Sequence, residues 1–264
     1  MNYLEALILG IIQGLTEFLP VSSSGHLEIG SYLLGVKGSN NLLFAIIVHG
    51  ATALSTIVVF RKDILELILG LLKFKWNEET QFVTKIALSM IPVGVVGVLF
   101  EDKIEAMFNG NIIFVASMLA ITGFLLLLTY YAKPKDGKVS FGKAIIIGLA
   151  QTIAILPGIS RSGSTISTAL MLGVERSKAA RFSFLMVLPP ILGATLLKVL
   201  DFVKAPESAA GIDTFVLIIG FAAAFVSGLL ACTWMINIVK KGKLIYFAYY
   251  CFIVAGIVFI NALL

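Results

Sequence analysis

Residues 19–30, LPVSSSGHLEIG, place three consecutive serines, a glycine and a histidine just after Glu17; residues 157–168, PGISRSGSTIST, set Arg161 among serines of its own. Each type has a chemistry. A carboxylate acts as a base or holds a divalent cation. A serine or histidine attacks an electrophilic centre. A guanidinium fork grips phosphate or carboxylate. Glu17 follows Gln13 by four residues, so both lie on one helix face. Ser22, Ser24 and Gly25 around Ser23, and Ser160, Ser162, Gly163 and Thr165 around Arg161, offer hydroxyls and backbone N–H groups at the start of two short helices, expected over 26–34 and 164–172. Two helix N-termini aimed at one point make an anion pocket, and phosphate suits it. Each residue also has a plainer role. Gln13 and His26 can be interhelical contacts, the serines can cap helices, and Glu17 and Arg161 can be an ion pair without chemistry. His49 has no such neighbours in sequence and is expected to be structural; Glu28 receives no role.

These residues sit in an apolar chain. Of 264 residues 59% are hydrophobic and 13% charged, with mean hydropathy +1.01, whereas soluble domains carry about 25% charged residues. The chain is therefore an all-α integral membrane protein. An arginine at membrane depth costs about 2.5–3.5 kcal/mol, which makes Arg161 a functional candidate by default. The net charge of +5 comes from scattered loop residues with no basic stripe, so no nucleic-acid partner is expected. The N-terminus lacks a basic leader segment, so no cleaved signal is expected. Cys232 and Cys251 lie in apolar runs and are expected to be buried thiols.

A helix needs about 20 apolar residues to cross a bilayer. Six segments qualify, at about 42–60, 82–100, 112–132, 182–200, 214–236 and 244–264. Segments 3–34 and 144–173 are apolar but broken by Pro20 or Pro157–Gly158 and by the serine runs, and each is expected to be a re-entrant helical hairpin. Basic residues follow 42–60 (Arg61, Lys62, Lys73, Lys75), 112–132 (Lys133, Lys135, Lys138, Lys143) and 214–236 (Lys240, Lys241, Lys243), and precede 182–200 (Arg176, Lys178, Arg181); loops 101–111 and 201–213 are acidic on balance. With basic loops in the cytoplasm, both termini face outward and the two hairpins enter from opposite faces.

The two broken segments align without a gap at an offset of 138. Gly10, Gln13, Ser22, Ser24, Gly25 and Leu34-Gly35-Val36 recur as Gly148, Gln151, Ser160, Ser162, Gly163 and Leu172-Gly173-Val174, eight identities over 27 positions. "GAT" at 50–52 recurs at 193–195. The chain is thus expected to be one membrane domain, 1–264, built of repeats over about 1–135 and 136–264 in inverted topology, with Ser22–His26 facing Ser160–Thr165 near the midplane. Ser23 stands where the second repeat has Arg161, which suggests separate, complementary roles.

"QGLTEFLPVSSSGH" (13–26) and "PGISRSG" (157–163) resemble the two signature stretches of the bacterial undecaprenyl-diphosphate phosphatases, the bacitracin-resistance family, and the likeness extends over nearly the whole chain. The resemblance implies an enzyme of the bacterial inner membrane whose active site opens outward. It would remove the terminal phosphate of a C55 isoprenoid diphosphate, releasing inorganic phosphate and recycling the lipid carrier for peptidoglycan synthesis. It implies a divalent cation, Mg2+ or Ca2+, at Glu17 and Gln13, and functional positions at Glu17, Ser23, His26 and Arg161 with Gln13, Ser160 and Thr165 nearby. Gln13 departs from a two-carboxylate arrangement. Ser23 as nucleophile with His26 as base comes first among the mechanisms, then a phosphohistidine at His26, then a metal-activated water. Small and polar residues on the spans permit a homodimer. The rival is a transporter or flippase of an anionic lipid, since inverted broken helices also mark transporters. A likeness of "SSSGH" to the type-2 phosphatidic-acid phosphatases fails at Ser167, where their histidine would stand.

Overall fold

The computed structural model describes residues 1–36, 40–107, 111–132, 135–204 and 213–263. Lys133 and most of the second acidic loop, 205–212, lie outside them. The described residues are helical, and the one β contact among them is an isolated parallel bridge between Gly137 and Val174.

The first broken segment is α1 (Tyr3–Phe18) and α2 (Ser23–Leu33). Asn2 starts α1 through a reciprocal cap with Glu5. Proline disfavours helical backbone in the residue before it, and Leu19, preceding Pro20, is extended at φ −69°, ψ 142°. Next come α3 (Asn40–Val59), α4 (Arg61–Leu71), α5 (Glu78–Leu99), α6 (Glu101–Met107) and α7 (Ile112–Tyr131). The second broken segment is α8 (Phe141–Ile153) and α9 (Arg161–Met171). Its break turns on Gly158, at φ 99°, where a Cβ would lie 2.4 Å from the Val115 carbonyl oxygen. The chain closes with α10 (Arg176–Met186), α11 (Leu188–Lys204), α12 (Thr214–Lys240) and α13 (Ile245–Leu263).

Among the described residues five stretches are long and apolar enough to cross a membrane: α5, α7, Arg176–Leu197 across α10 and α11, α12 and Ile245–Ala262 of α13. A sixth is counted if α3 and α4, bent by 76° at Phe60, are taken as one span. These are the six expected spans with three corrections. Residues 61–71 are helical, not loop. The span expected at 182–200 begins at Arg176, and Arg181 within it, about a third exposed, donates to Asp63 at 2.5 Å and lies 4.8 Å over the Phe82 ring. Helices α2 and α9 start three residues before the expected 26 and 164, because Ser22 and Ser160 cap them: each Oγ accepts the N–H of the glycine three residues on, at 3.2 and 3.0 Å.

The helices of the two halves pack across one another. Helix α1 runs along α12, and α8 along α5. Both contacts pivot on glycine: a Cβ at Gly10 would stand 2.5 Å from the Gly220 carbonyl oxygen, and one at Gly148 2.2 Å from that of Ser89. Small residues give helices this close approach where lipid supplies no hydrophobic drive. The outward faces carry large apolar side chains such as Leu33, Val98, Leu230 and Ile257, as a lipid-facing surface does.

Candidate active site

The two breaks meet inside the bundle. A Cβ on Gly25 would touch the Gly158 Cα at 3.1 Å, and one on Gly163 the Pro20 Cβ at 3.4 Å. Ser162 Oγ donates to the Leu19 carbonyl at 3.3 Å, and Thr122 of α7 ties down the second break by donating to the Gly158 carbonyl and accepting the Ser160 N–H. Arg161 thereby becomes the first residue of α9, opposite the last turn of α1.

Glu17 is the hub. Its carboxylate, with the side chain 4% exposed, receives the Arg161 guanidinium on Oε1. On Oε2 it receives the Gln13 amide N–H at 2.8 Å and the Ser23 hydroxyl at 2.7 Å. Burying a carboxylate is tolerable only when it is paired and hydrogen-bonded, and here donors from α1, α2 and α9 do both. The Ser23 O–H points at a carboxylate, which is a nucleophile–base geometry.

The described residues place Gln13, Glu17, Ser23 and Arg161 in one bonded chain, with Ser162 beside it. His26 lies outside that chain. Its Nδ1 faces the Ser22 carbonyl at 2.8 Å, and its Nε2 meets the Tyr250 hydroxyl at 2.9 Å, the two rings stacked. Ser23, for which His26 is the expected base, bonds in this structure to Glu17, while the His26 imidazole folds back to the carbonyl four residues before it. Ser22 and Ser160 are buried caps, each 3.3 Å from its partner Ser24 or Ser162. Thr165 Oγ1 meets the Arg161 carbonyl at 2.8 Å and Ser183 Oγ at 2.6 Å, so it braces α9 against α10.

Sequence reasoning passed over His49. It is expected to be structural from its lack of sequence neighbours, yet its Nε2 lies 3.7 Å from Glu17 Oε2. Nδ1 faces the Ala45 carbonyl at 2.7 Å and so carries a proton; Nε2 is cationic toward Glu17 only as imidazolium. A narrow crevice opens beside Glu17, Arg161 and Ser162, and its other walls include Thr52, Thr56 and Ser183. Thr52 belongs to the repeated "GAT", a signal that pointed here, and the two copies touch: a Cβ on Gly50 would meet Thr195 Cγ2 at 3.0 Å.

The residues present do not suit a divalent cation held by the chain alone. Both Glu17 oxygens already receive donors, and Gln13 turns its N–H to Glu17, leaving its own Oε1 without a partner among the described residues. No group of three acidic, histidine or cysteine ligands occurs among the described residues, whereas Ca2+ takes six to eight oxygens.

Short broken helices bring a part-buried arginine and a part-buried serine onto one buried carboxylate inside a polytopic membrane protein. The chain belongs to the bacitracin resistance protein BacA family, whose profile matches residues 6–258. It is 58% identical over 255 residues to an undecaprenyl-diphosphatase of Bacteroides fragilis, covering 96% of each chain. It is 57% identical over 259 residues to that of Parabacteroides distasonis, covering 98% of this chain and 97% of the relative. An undecaprenyl-diphosphatase of Methanobrevibacter smithii is 37% identical over 279 residues, with 100% of this chain and 99% of the relative covered.

Proposed function

We propose that this protein is an undecaprenyl-diphosphatase: a membrane hydrolase that removes the terminal phosphate from the C55 isoprenoid diphosphate and so recycles the carrier lipid for peptidoglycan synthesis. One observation carries the reading. The Ser23 hydroxyl and the Arg161 guanidinium, from opposite halves of the chain, are held on the two oxygens of one buried carboxylate.

Phosphoryl transfer asks for positioning and charge neutralisation. The diphosphate competes with Glu17 for Arg161, and drawing the guanidinium onto phosphate frees the carboxylate. Glu17 then takes the proton from Ser23 as Oγ bonds to the terminal phosphorus and the bond to the bridging oxygen breaks. Undecaprenyl phosphate leaves, and water hydrolyses the phosphoserine to release inorganic phosphate. The N-termini of α2 and α9 add dipole and the N–H groups of Ser24 and Ser162, while those of Gly25 and Gly163 stay on their caps. A divalent cation, Mg2+ or Ca2+, belongs to the reading as a companion of the diphosphate, whose oxygens supply ligands the chain lacks.

The inverted repeat and two re-entrant hairpins are part of the same proposal. Supporting them are the matched caps at Ser22 and Ser160, the matched glycine contacts at Gly10 and Gly148, and the buried Gln13 and Gln151. We place the protein in the bacterial inner membrane with both termini and the site facing outward; Gly94, Gly97 and Gly193, with open space beyond them, leave room for a homodimer. Membrane-impermeant thiol reagents applied outside are expected to label cysteines introduced near 105 and 207 but not near 138 or 241. Reversed labelling overturns the orientation.

The rival reading, a transporter or flippase of an anionic lipid, shares this architecture but needs no serine–carboxylate pair. Purified protein in detergent, where no transmembrane gradient exists, is expected to release phosphate from an isoprenoid diphosphate. A folded but silent preparation would favour transport.

A further inference from the structure

At the far end of α9 from Arg161, eleven residues and roughly 16 Å away at 1.5 Å per residue, lies a separate cavity of about 350 Å³. Its wall carries three cations, Lys135, Arg176 and Lys240. None has a carboxylate within ion-pair distance among the described residues, although other basic residues nearby do: Lys138 pairs with Glu78, Lys178 with Glu175 and Arg181 with Asp63. Of the two acidic residues on the wall, Glu175 is engaged by Lys178 and Ser177, which hold its carboxyl below the ordinary range, leaving Asp136 against three positive charges.

The backbone shapes this wall. Gly242 (φ 68°) ends α12 and Gly173 (φ 76°) ends α9, left-handed positions that favour glycine. The missing side chains leave room for the cations: a Cβ at Gly242 would lie 2.4 Å from the Arg176 Cζ, and one at Gly173 2.7 Å from the Lys135 Cδ. Helix α10 starts at the same wall with Glu175 as N-cap and no side-chain cap, so its first N–H groups add to the positive potential. The lining also carries apolar Leu170, Val174 and Leu244.

We infer that this cavity is a second anion site, distinct from the Glu17–Arg161 centre, and that it takes a phosphate group, either the phosphoester head of an anionic membrane lipid or free inorganic phosphate. An arginine fork together with two lysines lining the same cavity suits the oxygens of a phosphate. A basic pocket between helix ends on the face expected to be cytoplasmic is where anionic headgroups concentrate.

The test uses the full chain in maltoside detergent. Native mass spectrometry counts retained phosphatidylglycerol against phosphatidylcholine, and thermal unfolding is followed with inorganic phosphate. Three proteins are compared: wild type, Arg176→Gln/Lys240→Gln, and Lys73→Gln/Lys75→Gln as a remote control. The lipid source predicts that wild type and control retain phosphatidylglycerol selectively while the cavity variant binds it about tenfold more weakly. The free-phosphate source predicts a phosphate-dependent rise in unfolding temperature in wild type and control that the cavity variant lacks. Diphosphate hydrolysis in anionic-lipid-free detergent is expected to be unchanged in the cavity variant, which separates this site from the catalytic reading and reports folding. Should the double variant fail to insert, Lys135→Gln is read in the same assays. The site is overturned if no variant differs from wild type toward either ligand, or if the control loses as much as the cavity variant.

Discussion

Arg161→Ala is expected to lower phosphate release by about a thousandfold or more, the range seen when a charge-stabilising arginine is taken from a phosphoryl-transfer site, while the protein still inserts into the membrane. Two effects combine. The phosphate loses its fork, so KM rises and kcat falls together. Glu17 also loses its main partner while staying buried, and stranding a buried charge costs about 3–5 kcal/mol. A second substitution separates them: Arg161→Ala/Glu17→Gln removes the stranded charge and is expected to regain most of the thermal stability but none of the activity. Arg161→Lys keeps the charge and loses the two-pronged geometry, so its rate should fall between. The measurement is phosphate released per minute by purified protein from an isoprenoid diphosphate. Turnover near wild type in Arg161→Ala would remove Arg161 from the site.

Glu17→Gln should act differently. The isosteric amide still accepts one hydrogen bond from Ser23 but is no base, so kcat is expected to drop by about a hundredfold to ten-thousandfold, the usual worth of a positioned proton acceptor. Arg161, no longer neutralised by a carboxylate, is freed for phosphate, so KM should hold steady or fall. That split distinguishes a proton acceptor from a mere ion-pair partner, whose loss would leave kcat intact. Ser23→Ala is expected to reproduce the kcat loss, and combining it with Glu17→Gln should add little, because the two act as one unit. Wild-type kcat in Glu17→Gln would reduce the pair to scaffolding and return the search for a base to His26, which the structure places on Ser22 and Tyr250.

Much of this was legible in the chain. Six spans and two broken segments follow from run length and from Pro20 and Pro157. The serines announce helix starts, although the helices begin three residues earlier than expected, because a serine hydroxyl that captures the N–H three residues on draws the intervening residues into the first turn. The span's end at Phe60 was legible from Arg61 and Lys62, but not that the chain resumes there as helix α4, bent by 76° and packed on α5. His49 shows the same limit. It lies in an apolar run 32 residues from Glu17, and only the packing of α3 beside α1 brings the two to 3.7 Å.

Local chemistry dictates which segments enter the bilayer, where they break, and that a buried arginine and glutamate require partners, because desolvation and backbone hydrogen bonding act residue by residue. Pairing is another matter. Arg161 on one oxygen of Glu17, Ser23 on the other, His26 turned to Tyr250 and Gln13 facing inward are outcomes of helix packing at glycines such as Gly10 and Gly148. Shifts of an ångström there exchange one hydrogen-bond partner for another, and a linear pattern of residue types carries no record of such distances.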